Sequence, residues 1–137
     1  MCARAPRAVV CGESALAAHE LIDDIPAAVR IAVLRSARRL TISDPSTVLA
    51  QYALATFALG VERFEAAQGE TIPVYNAARS VADAMRHRSR IGETLALSAL
   101  GRYLRREGRS GVGELQSVAR ELGTLSVIRP AVESMLA

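Results

Sequence analysis

The chain has 137 residues, a length that fits one domain with a substantial core. Hydrophobic residues make up 50% of it, which excludes intrinsic disorder of the whole chain, and with aromatics at 4% and no Trp the core must come from Ala, Leu, Val and Ile. All 17 cations are Arg, and the net charge of +3 is compatible with a nucleic-acid partner without requiring one.

Ala, Leu, Arg and Glu dominate, whereas strand-forming residues never alternate for long. The composition therefore predicts an all-α fold, a compact bundle of roughly five to seven helices. Residues 1–12, with Pro6 and Gly12 and no helical period, are read as an irregular N-terminal segment, and residues 13–137 as a single helical domain. Cys2 and Cys11 do not make a disulfide framework, so a reducing compartment is expected. The apolar run Ala8, Val9, Val10 is too short for a signal peptide, and the expected location is cytoplasmic.

A first helix is predicted over about residues 13–24, ended by Ile25-Pro26. Pro26 then opens a second, to about residue 40, with Val29, Val33, Ala37 and Leu40 on one face. Arg35, Arg38 and Arg39 fall opposite, with Ile31 and Leu34 beside or between them, and these five residues are the expected protein interface. Asp44 is placed to cap and Pro45 to start a third helix. From Pro45 to Val61 no residue is charged, and apolar side chains point in every direction around a helix, the mark of a buried element. The bundle is therefore expected to surround a central apolar helix at about residues 45–68, too short and too interrupted by Gln51 to cross a membrane. Gly60 within it suggests a neighbour's backbone passing close, and Gly69 is its natural end.

A fourth helix is predicted over about residues 73–87, with Val74, Ala78, Val81, Ala82 and Met85 as its apolar stripe and Arg79, Asp83 and Arg86 facing water. A fifth runs over about residues 91–107, with Leu95, Ala99, Leu100, Tyr103 and Leu104 inward, and ends at Gly108. A sixth covers about residues 112–122, ended by Gly123, and a short terminal helix starts at Pro130.

Two basic clusters are candidate contacts for an anion or nucleic acid. Arg86, Arg88 and Arg90 stand at a helix junction, and Arg105, Arg106 and Arg109 lead into a glycine-rich turn. The stretch from Gly113 to Gly123 resembles the first helix and turn of a helix-turn-helix: Ala119 is the small residue four before the turn glycine, flanked by apolar Val118 and Leu122. Over the segment 103–136 this resemblance implies a DNA-binding regulator reading bases from residues 124–129, with Arg120 and Arg129 among its contacts. Pro130 is expected to interrupt the recognition helix, and Arg129 stands at a position expected to be apolar.

For enzymology the residues offer little. His19 and Asp23 are one helical turn apart, as are Glu62 and Glu65, but neither pair completes a metal site, and Cys11 has no base nearby in sequence. No metal or cofactor is expected. The leading expectation is a non-enzymatic protein–protein interaction or assembly module, self-associating, with the helix-turn-helix regulator as the alternative. A small-ligand pocket lined by Tyr52, Phe57, Tyr75 or Tyr103 is the third class considered.

Overall fold

A computed structural model describes residues 8–26, 28–34 and 47–136, without the side chains of residues 47–51, 66 and 67. The first half of the chain interleaves strands with short helices. In order these are β1 (Ala8–Val10), α1 (Gly12–Ala18), β2 (Val29–Leu34), β3 (Thr47–Tyr52), α2 (Leu54–Phe57), β4 (Val61–Ala67) and β5 (Glu70–Tyr75). The second half is helical: α3 (Ala77–Arg86), α4 (Arg88–Ile91), α5 (Glu93–Leu122) and α6 (Leu125–Leu136).

The strands form one mixed sheet in the order β3-β2-β1-β5-β4. β1 runs antiparallel to β2, with Val9 opposite Ala32, and β2 runs parallel to β3, with Ile31 opposite Leu49. β4 and β5 form an antiparallel hairpin with Phe64 opposite Ile72. The hairpin joins the sheet where Val10 of β1 meets Val74 of the parallel strand β5. Both of these parallel strands pass directly into helices. Cys11 follows β1 and precedes α1, while Asn76 follows β5 and caps α3, its side chain accepting from Arg79 N at 2.8 Å. The two helices so launched pack against each other.

The all-α expectation is therefore corrected: the molecule is a mixed α/β fold. The predicted central helix at residues 45–68 is divided among β3, the short α2 and β4, with Gly60 turning the chain at φ 79° between the last two. A segment apolar on all sides fits a strand buried on both faces as well as a buried helix, so its pattern carries no period to choose by. The predicted second helix is β2 from Val29 to Leu34. Val29, Ile31 and Val33 alternate there with Arg30, Ala32 and Leu34, and β-branched residues at period two suit a pleat. Residues 8–10, read as irregular, pair as β1, and residues 70–75, part of which was assigned to the fourth helix, are β5.

Two apolar clusters hold these elements. Val9, Cys11, Ala32, Tyr52, Phe57 and Tyr75 form the smaller, joined by Leu34 and Val61. The larger lies between α3 and α5 and extends to Leu16, Leu21 and Ile22 near α1 and to Ile128 and Val132 of α6. Here local periodicity predicted well. Ala78, Val81, Ala82 and Met85 of α3 are buried, as are Ala99, Leu100, Tyr103 and Leu104 of α5. The predicted break at Gly108 is a kink within α5, where φ is 66° and ψ −151°. The terminal helix starts at Leu125, earlier than expected, and runs unbroken past Pro130.

Candidate functional site

The segment expected to form a helix-turn-helix, residues 103–136, folds as the rest of α5, a turn at Gly123 and α6. The last part of α5 ends at Gly123, which adopts the left-handed conformation (φ 73°, ψ 22°) that an L side chain resists. Thr124 N then donates to Ala119 O at 2.9 Å, and Thr124 O receives the first amides of α6, from Val127 and Ile128, both at 3.1 Å. Ala119 is fully buried, and Thr124 and Ile128 are buried with it. A methyl side chain there allows α5 and α6 to meet closely, the role that the resemblance assigned to it. Pro130 removes one helix hydrogen bond, from the carbonyl of Ser126, without stopping α6. Arg129, expected at an apolar position, is exposed, as are Ser126 and Glu133 of α6 and Arg120 and Glu121 of α5.

The structure distributes the predicted anion contacts rather than gathering them. Arg86 turns inward, Nη2 donating to Asp83 Oδ1 at 2.7 Å. Arg88 donates to Met85 O at 2.8 Å and stands 3.9 Å from Glu93. Arg106 is held within the fold, donating to His19 O at 2.6 Å and to Glu107 at 3.0 Å. Arg102, which the sequence did not single out, donates to Glu20 O at 3.1 Å and pairs with Asp23 at 3.0 Å, so the two arginines of α5 clasp the chain just after α1. Arg90, Arg105, Arg109, Arg120 and Arg129 are exposed and make no ion pair among the described residues.

Of the expected protein interface, only Ile31 and Leu34 fall within the described residues. Ile31 and Leu34 are half-buried on β2, which lies between β1 and β3 in the sheet. Arg35, Arg38 and Arg39 lie outside the described residues. A groove of about 500 Å³ and mixed polarity opens elsewhere, where the end of α6 returns onto α5, lined by Leu97, Leu104, Met135 and Leu136 beside Ser98, Arg102 and Arg105.

A second polar site, invisible to motif reading, lies under the smaller cluster. Arg79 is fully buried. Its Nε donates to Asp83 Oδ2 at 2.9 Å, and its Nη1 to the carbonyls of Thr56 at 2.6 Å and Leu59 at 2.9 Å, at the end of α2. The guanidinium lies 4.2 Å from the Tyr75 ring centroid and 5.4 Å from that of Tyr52. Tyr52, Phe57 and Tyr75, three of the four residues proposed to line a pocket, do come together here, whereas Tyr103 belongs to the larger core. The only sequence signal for this site is an arginine within the apolar run of α3, four residues before an aspartate.

This environment disfavours a Cys11 thiolate. Cys11 is buried, and burial pushes its thiol up to about 11, against the smaller opposing effect of its hydrogen bond with Tyr52. Desolvation likewise raises Tyr52 and Tyr75 above the ordinary phenol range. His87, half-buried beside Arg86, is pushed down by burial first and by that cation second. His19 and Asp23 do not converge: His19 Nε2 lies 2.9 Å from Tyr75 O and 3.3 Å from Glu62, while Asp23 goes to Arg102. Among the described residues no group of three or more metal-ligating side chains exists, and no helix is long and apolar enough to cross a membrane. No protein-family model matches the chain, and no curated protein matches it.

Proposed function

We propose that the chain is a nucleic-acid-binding protein whose helix-turn-helix, the end of α5 with α6, docks on duplex DNA. One observation carries the reading. The αL turn at Gly123, with buried Ala119 before it and an uninterrupted α6 after it, leaves Arg120 and Arg129 exposed on either side of the turn without a carboxylate partner among the described residues. Arginine suits this role because its planar fork meets phosphate and the guanine edge with two donors. Arg105 and Arg109, near the α5 kink, add exposed positive charge to the same helical segment. Glu121 and Glu133 also face water there, so the field around the turn is nearly balanced and the expected affinity is modest.

Fluorescence anisotropy with random and selected duplexes across a salt series tests it. Binding should weaken as salt rises, with a log–log slope of about −2 to −4 if two to four arginines meet phosphates. Arg120→Ala or Arg129→Ala should each lower that slope by about 1. Binding that ignores salt, or that both variants retain unchanged, refutes the proposal.

A second reading, protein binding, is supported by the groove between α5 and α6. Met135 and Leu136 are 39% and 59% exposed there, in a helical segment whose other large apolar side chains are mostly covered. Part of the apolar excess behind the self-association expectation is absorbed by β2, where Ala32 and Val33 are buried, so this reading now rests on the groove. Light scattering decides it. A concentration-dependent dimer that Leu136→Glu dissolves supports the reading, and a monomer at all concentrations removes self-association.

A further inference from the structure

The buried cluster on α3 carries more donors than acceptors. Arg79 and Arg86 share one carboxylate, Asp83, which is 2% exposed and has both oxygens occupied: Oδ2 by Arg79 Nε and Oδ1 by Arg86 Nη2. Both guanidinium groups also face one ring, Tyr52, at 5.4 Å and 5.7 Å from its centroid. Among the described residues each keeps a buried donor with no hydrogen-bond acceptor, Nη2 of Arg79 and Nε of Arg86. A buried guanidinium N–H without a partner is costly, and native folds rarely tolerate one unless water or an ion supplies the acceptor. Nor do the charges balance among the described residues, since two cations meet one anion. The Arg86 side chain is 30% exposed and gives the cluster an opening to solvent.

We propose that Arg79 Nη2 and Arg86 Nε hold an oxyanion group of a small ligand, beside the Tyr52 ring. A group with two or more anionic oxygens accepts from both donors and cancels the excess positive charge, which a single neutral water cannot do. The site lies past the end of β5 and on α3, apart from the helix-turn-helix, and does not depend on the nucleic-acid reading.

Thermal unfolding and calorimetric titration of the full chain with inorganic phosphate, at constant ionic strength against chloride, test the proposal, with acetate as the arm that separates a carboxylate from a phosphoryl or sulfuryl group. Saturable stabilisation by phosphate or acetate is expected. Arg86→Gln removes one donor at the partly exposed edge of the cluster and should weaken binding roughly tenfold to a hundredfold. Arg86→Lys, which keeps the charge but not the fork, serves as the second variant should the first fold poorly, and should weaken it in the same direction. Arg120→Ala and Arg129→Ala should leave the effect unchanged, which separates this site from the proposed DNA surface. No saturable response to either anion, a response in both Arg86 variants as strong as in the native chain, or a crystal grown in phosphate with only water at Arg79 Nη2 would overturn the assignment.

Discussion

Cys11 illustrates how position rather than residue type sets chemistry. Its thiol would normally titrate at 9.0, and in the fold it is pushed up to about 11 by burial among Val9, Tyr52 and Tyr75. Below pH 9.0 it is protonated in folded and unfolded chains alike, and the native state keeps its full stability. Between 9.0 and about 11 the unfolded chain ionises first, so stability falls as pH rises, by about 2–3 kcal/mol at most from this group. Urea midpoints measured across that range should decline in the native sequence. In Cys11→Ala the decline should begin only near the ordinary tyrosine value of 10.0, where Tyr52, Tyr75 and Tyr103, all raised by burial, contribute in the same direction. At neutral pH the thiol should resist alkylation until the chain unfolds. At this same scale the sequence was least informative. Arg79 and Asp83 look like an ordinary surface pair one helical turn apart, and only the packing of α2 and Tyr75 over them makes them a buried one.

Among the elements, turns separate two reasons for using glycine. At Gly60, between α2 and β4, φ is 79° and an added Cβ would stand 2.7 Å from Arg79 Cβ, so both backbone conformation and neighbour forbid a side chain. At Gly123 φ is 73° but the space is open, so only the backbone objects. Gly123→Ala should therefore cost roughly 1–2 kcal/mol, the left-handed penalty alone. Gly60→Ala should cost more and also disturb the Arg79 bonds to Thr56 and Leu59. Equal losses in the two variants, read from urea midpoints, would contradict the steric account. The sequence suggests a neighbouring backbone close to Gly60; what stands there instead is the Arg79 side chain, and Gly60 turns a loop rather than sitting inside a helix. Helix breaks at Gly108 and Gly123 were legible because each depends on a few adjacent residues. The start of α6 was not, since Pro130 masked a helix already under way from Leu125.

Across the whole molecule, the helical half is fastened to the α/β half by arginines of α5. Arg106 and Arg102 donate to His19 O and Glu20 O, carbonyls left open where α1 ends and Glu20 takes φ 58°. Arg106→Ala should lower stability by about 1 kcal/mol. Hydrogen exchange should quicken first in α1 and the following turn, with the core of α3 little changed. Uniform acceleration throughout would mean that the clasp is not a local fastening. Arg106 thus serves the fold, whereas Arg105, Arg109, Arg120 and Arg129 are exposed without an ion pair among the described residues.

By itself, the sequence determined the helical half: apolar residues recurring every three or four positions mark one face of a helix whatever the rest of the chain does, and α3 and α5 buried the faces so marked. Only the tertiary structure decided the first half. A strand draws its hydrogen bonds from residues far away in sequence, as Val10 does beside Val74, and an uncharged stretch such as Pro45 to Val61 can satisfy either geometry until those partners are in place.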